Sequence, residues 1–192
     1  MRTVKILITL LLLGTPTWVV AQSALATGAP EAFGATAQAT AGAGSVSGTI
    51  DVRVRRYTPD FDRTAMETAL RQGGYAGFLT ALAKAPEVGQ VVLGGGQIYS
   101  IRYARERVEP GLRTIILVTD KPVFFLGGGG ADAKPRAGFA VGVLEIKMDG
   151  SGRGQGTMAG AARVRPDGNG GVLLDDYAET PIVLNNITRK PL

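Results

Sequence analysis

The chain has no cysteine and no histidine. Without cysteine there is no disulfide, no thiolate nucleophile and no residue for lipoprotein acylation, so packing alone must hold the fold. Without histidine, Ser–His and Cys–His nucleophilic catalysis fall away, together with His-ligated haem and most zinc or other transition-metal sites. No cofactor or metal is therefore expected. Aromatics make up only 6% of the residues, and the single tryptophan is Trp18. The net charge is +5, from 21 basic and 16 acidic residues, a surplus too small to point to nucleic acid. Long apolar runs are missing too. The most hydrophobic stretch, residues 6–13, is far short of the roughly 20 residues a membrane-spanning helix needs.

What is present begins with an address. Arg2 and Lys5 precede that short apolar run, helix-breaking Gly14 and Pro16 follow, and Val19, Val20 and Ala21 supply a small-residue site. This is the layout of a secretory signal over residues 1–21, with cleavage expected after Ala21 and, as the alternative, after Ala26. Its removal leaves 19 basic against 16 acidic residues. The expectation is export, to the periplasm or the medium, with no transmembrane segment in the mature protein. Residues 22–48 are almost entirely Ala, Gly, Thr, Ser and Gln, without apolar period, and read as a flexible tether. A single domain is then expected over residues 49–192.

Within that domain the clearest stretch is residues 139–165. Leu144, Ile146 and Met148 alternate with Glu145 and Lys147, the turn Asp149-Gly150-Ser151-Gly152 follows, and Met158, Ala162 and Val164 continue an even-numbered apolar face. Period two around an Asp-Gly turn predicts a β-hairpin. A second hairpin is expected at residues 166–171. Further strands are read at residues 49–55, 88–93, 97–108, 112–119, 122–126, 172–174 and 182–188, each bounded by turn formers.

Two short helices are expected near the start of the domain. Thr58 would cap the first and Pro59 would open it; Phe61, Met66 and Leu70 would form its apolar side, and Gly73-Gly74 would end it. The second would carry Tyr75, Phe78, Leu79 and Leu82 and stop before Pro86. The predicted class is α+β, a mostly antiparallel sheet with this helix pair laid over it.

The succession of residues 69–89, then Ile101-Arg102-Tyr103-Ala104-Arg105, Thr119-Asp120-Lys121-Pro122, and residues 147–152 continuing into Gly156-Thr157-Met158, resembles a group of small uncharacterised exported bacterial proteins. The resemblance spans roughly residues 49–190. It implies bacterial export and one domain, and brings no activity and no site residues.

The candidate sites are few. The glycine runs at residues 94–96 and 127–130 lack the Lys-Ser or Lys-Thr of a phosphate loop and read as inter-strand loops. Asp149 and Ser151 resemble the first oxygen donors of a calcium loop, but Arg153 stands in the fifth place and the distal carboxylate is missing. Asp175, Asp176 and Glu179 form the densest acidic cluster, with Asp51 or Asp120 as possible distant partners. A better-ordered set is basic and aromatic. Arg53, Arg55 and Tyr57 share one face of an early strand, and Tyr99, Tyr103, Arg105 and Arg107 one face of a later one. If those strands are neighbours, the residues form a ridge able to meet an anionic polymer or lipid. The leading expectation is a non-catalytic domain of the cell envelope that binds a ligand or partner. The alternatives are a histidine-free, carboxylate-dependent hydrolase or lyase, and an assembly subunit pairing through an edge strand.

Overall fold

The computed structural model describes residues 28–41, 44–125 and 137–192. The described residues form nine strands and one helix: β1 Glu31–Ala41, β2 Gly44–Val54, α1 Asp60–Lys84, β3 Gly89–Leu93, β4 Ile98–Glu109, β5 Leu112–Thr119, β6 Val141–Asp149, β7 Arg153–Pro166, β8 Val172–Tyr177 and β9 Ile182–Lys190. All pairings are antiparallel, in the order β6-β5-β4-β3-β2-β1-β9-β7, and β7 returns to β6. Eight strands thus close into a barrel, and the predicted class, α+β with two short helices over a mostly antiparallel sheet, is corrected to an antiparallel β-barrel with one helix. Closure gives every one of these strands a partner on both sides. The ninth strand, β8, borders β7 alone.

The alternation seen in the sequence fills the barrel. Phe33, Ile50, Val52, Val91, Ile101, Ile115, Leu117, Leu144, Ile146, Met158 and Leu184 point inward and are buried. A second apolar layer lies outside the wall, where Met66, Leu70, Phe78 and Leu82 of α1 cover Tyr103, Ile116, Val118, Val141 and Val143. Both faces of β4–β6 are therefore buried where the helix lies, which is why β5 reads as a nearly unbroken apolar run.

Several expectations are revised here. The proposed tether holds β1 and the first half of β2, and β1 is paired with β2 on one side and β9 on the other. The two short helices are a single helix, bent at Gly74, where φ is 59° and ψ is −159°. A glycine tolerates that left-handed φ without the clash a Cβ would bring, so the helical backbone is interrupted there by a kink while the two segments stay joined in one element. The helix also stands mid-sequence, after a full β-hairpin, rather than near the start of the fold. Thr58 does not cap it; its Oγ1 accepts the Ala104 amide at 2.9 Å and its own amide donates to the Ala104 carbonyl at 2.8 Å. Phe61, expected on the buried side, is 84% exposed. Residues 122–125 are irregular and run past β7, where the Val123 amide donates to the Gly160 carbonyl at 2.7 Å.

The central hairpin stands, with one change of register. Leu144 pairs with Met158 and Val143 with Ala159, but Val141 pairs with Ala162, so a bulge in β7 takes up the extra residue. Beyond it the faces exchange: Ala162 and Val164 lie under the helix and not in the barrel with Met158. There β7 leaves β6 and forms a hairpin with β8, whose Val172 joins the outer apolar layer. The signal expected at residues 1–21 and the glycine run at residues 127–130 lie outside the described residues. No helix among the described residues is long and apolar enough to cross a membrane.

Candidate functional site

Two polar constellations stand out, one inside the barrel and one on its outer wall. The inner one is centred on Arg113, which occupies an inward position of β5 in the same row as Ile115 and Leu117. The residue is 1% exposed, and nothing apolar could compensate the charge of its guanidinium. The compensation is carried by Glu31 from β1, whose two carboxylate oxygens accept Arg113 Nη1 at 2.9 Å and Nη2 at 2.5 Å. Glu106 on β4 accepts Nε at 2.9 Å. Arg189 on β9 donates to Glu31 at 2.7 Å, and the Tyr57 hydroxyl donates to Glu31 as well. Two carboxylates thus face two guanidiniums. Burial pushes the Glu31 carboxyl up, but the bonds from Arg113 and Tyr57 and the charges of Arg113 and Arg189 more than reverse this and hold it below its ordinary value. Burial, reinforced by the bond and charge of Glu31, pushes the Tyr57 hydroxyl well up, so it stays a donor. Both carboxylate oxygens of Glu31 are engaged by its own neighbours.

The outer constellation lines a groove of about 310 Å³ between the wall formed by β4–β6 and the β7–β8 hairpin. Outward residues of three adjacent strands stand in two rows. Arg107, Thr114 and Lys147 are register partners in one, and Arg105, Ile116 and Glu145 in the next. Val172 and Leu173 of β8 form the opposite wall, and Leu112 lies at the open end.

The hairpin is held in place by Asp167. Its Oδ1 accepts the amides of Asn169 at 2.6 Å and Gly171 at 2.9 Å, shaping the turn, while Oδ2 pairs with Arg105. Burial opposes the charge on Asp167, but the Asn169 amide, the Arg105 guanidinium and the Gly171 amide outweigh it, so its carboxyl lies below the usual range. Arg105 also donates to the Asn169 carbonyl at 3.0 Å, and the Tyr103 hydroxyl accepts the Val172 amide at 3.3 Å. The groove therefore has a fixed inner end and an open outer end, where the ion pairs Arg107–Glu109 and Lys147–Glu145 are largely exposed.

The seven residues singled out in the sequence do not come together as one ridge. Strand β3 lies between β2 and β4, so Arg53 and Arg55 are separated from the later set. Arg53 is exposed, and Arg55 is exposed and paired with Glu87 at 2.5 Å. Tyr57 turns inward to Glu31, and Tyr103 is buried beneath the hairpin. Arg105 and Arg107 do share a face, which is the groove wall. Tyr99 is buried, on the inner face of β4.

Nor does the acidic set converge. Asp175 and Asp176 are exposed on β8, Asp51 pairs with Lys190, and Asp120 lies 4.0 Å from Arg102. Because β8 borders only β7, no strand pairing brings Asp51 or Asp120 beside it. The Asp149 carboxylate is taken up by its own turn, accepting the Ser151 amide at 2.8 Å, the Ser151 hydroxyl at 2.6 Å and the Arg153 amide at 3.1 Å. Among the described residues no group of three or more acidic side chains is placed to hold a metal ion.

The inner cluster was missed in the sequence, although Arg113 left a trace: a cation in the inward row of an otherwise apolar strand. Thr114, Glu145, Lys147 and Asp167 were also missed, since a groove made by a hairpin folded over a distant strand has no local signature. Compared with protein-family models, curated proteins and solved structures, the chain has no match in any of the three.

Proposed function

We propose that this protein is an exported, non-catalytic binding domain of the cell envelope and that the groove beneath the β7–β8 hairpin is where it holds its ligand. The observation that carries the reading is the contrast between a barrel filled with side chains and a groove of about 310 Å³ left on its wall. That volume is at the lower end of small-molecule sites, and the lining sets apolar Leu112, Ile116, Val172 and Leu173 beside charged and hydroxyl side chains able to orient a ligand. Export rests on the charged, apolar and small-residue order of residues 1–21 and on the resemblance of residues 49–190 to exported proteins. The carboxylate-dependent enzyme loses support because Asp175 and Asp176 have no converging partner. The assembly reading loses support because barrel closure consumes the long strands and the short β8 carries two exposed aspartates, a charge pattern that discourages edge pairing.

The test is to fill the groove. Thr114 is half-buried on its floor, and Thr114→Trp places an indole where the ligand would lie. The neutral probe N-phenylnaphthylamine brightens on entering an apolar site, and its emission should rise with the wild-type protein and fall several-fold with Thr114→Trp. Arg53→Glu with Arg55→Glu should leave that emission unchanged. If instead retention on an immobilised anionic polysaccharide is lost in the double Arg→Glu variant while Thr114→Trp changes neither signal, binding belongs to the β2 face and not to the groove.

A further inference from the structure

Resting on the groove as the binding site, we infer that its ligand is a compact amphipathic carboxylate: one anionic head and a short apolar body. The head site is the row Arg107, Thr114, Lys147. Adjacent strands are about 4.8 Å apart, so the two cations start roughly 10 Å apart with the threonine hydroxyl between them, a span that both long side chains can close around one carboxylate. Four carboxylates also line the groove: Glu106 is bonded to Arg113 and Asp167 to Arg105, and the other two are not arranged as the cations are. Glu109 belongs to the row of Leu112 and Glu145 to the row of Ile116, one on each side of the cationic row. A bound cation would meet one acid at a time, whereas a bound anion meets two cations and a hydroxyl together.

Availability follows from exposure. The Arg107–Glu109 pair has side chains 62% and 47% exposed, and Lys147–Glu145 55% and 31%. Pairs so open to water contribute little, so both cations can exchange partners at small cost. The Arg105–Asp167 pair is different. At 14% and 8% exposure, and with Asp167 also holding two turn amides, it is a fixed strut and no part of the head site. From the cationic row the groove continues inward between Ile116 and, on the opposite wall, Val172 and Leu173, which gives the apolar body its place and sets the polarity of binding: head outward, body toward the hairpin. About 310 Å³ suits one short chain or ring and is too small for a two-chain lipid.

Calorimetric titration of the purified protein at low salt with octanoate, octylammonium and octyl glucoside separates the possibilities. Octanoate below its micellar concentration should bind with one-to-one saturation, and octylammonium and octyl glucoside should bind at least roughly tenfold more weakly. The Arg107→Gln, Lys147→Gln double variant should lose octanoate binding by a similar factor and keep its thermal stability, because both side chains are exposed. Equal binding of octanoate and octyl glucoside, with both blocked by Thr114→Trp, would overturn the carboxylate head while leaving the groove as the site. Failure of all three amphiphiles to bind the wild-type protein, with N-phenylnaphthylamine emission the same for wild type and Thr114→Trp, would overturn the groove itself. Co-sedimentation with phosphatidylglycerol vesicles in the absence of octanoate binding would overturn the small ligand in favour of a membrane surface.

Discussion

At the scale of single residues, the decisive pair is Arg113 and Glu31, an arginine that belongs by register to the barrel core and an acid from a strand that is otherwise nearly all small residues. A buried ion pair is not in itself a source of stability, but removing one member strands the other in an apolar surrounding. Arg113→Met should therefore cost on the order of 3 to 5 kcal/mol, since it leaves both Glu31 and Glu106 without their shared partner. Glu31→Gln should cost less, because Glu106 still meets Arg113. The pH dependence has a definite sign. The Glu31 carboxyl titrates lower in the folded protein than its ordinary value of 4.5, so its contribution is complete above that value and is lost as pH falls through the lower folded one. Urea unfolding near pH 7 and near pH 3.5 should show the stability gap between wild type and Glu31→Gln narrowing on acidification. A gap that widens would mean that Glu31 is not the charged partner of Arg113. Half of this pair was legible. The alternation of β5 marks Arg113 as a charge in a buried row, but nothing in the local sequence of Glu31 shows that it points inward.

Among the elements, α1 shows how a correct local signal can lead to a wrong boundary. Gly73-Gly74 does mark a break in helical backbone, at Gly74. The helix persists because Tyr75, Phe78 and Leu82 beyond the bend continue onto the same outer layer as Met66 and Leu70 before it, so burial on the barrel favours one bent element over two free ends. The two glycines are consequently unequal. Gly74 has the positive φ, whereas Gly73 has none and no atom within 4 Å of where a Cβ would stand. Gly73→Ala should raise stability by about 0.5 to 1 kcal/mol, and Gly74→Ala should lower it by about 1 to 2. Thermal unfolding followed by circular dichroism reads both, and an equal response of the two sites would show that the bend is not fixed at Gly74. The central hairpin was legible as far as the bulge. A one-residue insertion in β7 is invisible to a strict period of two, and that insertion exchanges the faces of Ala162 and Val164 and turns β7 toward the groove.

For the molecule as a whole, the least legible feature was that the sheet closes. The strands from β3 to β7 announce themselves by branched and aromatic residues at period two, but closure depends on β1, whose inward residues include only Phe33, Ala37 and Glu31 among its buried positions of that face. A strand of Ala, Gly, Thr and Gln offers little apolar area, and composition alone therefore gave a tether. In the barrel its contribution is of another kind: it completes two hydrogen-bonded ladders, with β2 from Glu31 to Ala41 and with β9 from Ala32 to Gln38, and it delivers Glu31 to Arg113. Deleting Glu31–Ala41 should then do far more than trim a disordered end. It would open two unpaired edges along β2 and β9, expose Ile50, Val52 and Leu184, and leave the buried charge of Arg113 with a single carboxylate, that of Glu106. The expected outcome is loss of cooperative thermal unfolding together with self-association, measured by circular dichroism and size-exclusion chromatography. A monomer that melts cooperatively within a few degrees of wild type would mean that β2 and β9 can close the barrel without β1, and that residues 31–41 are dispensable to the fold as their composition first suggested.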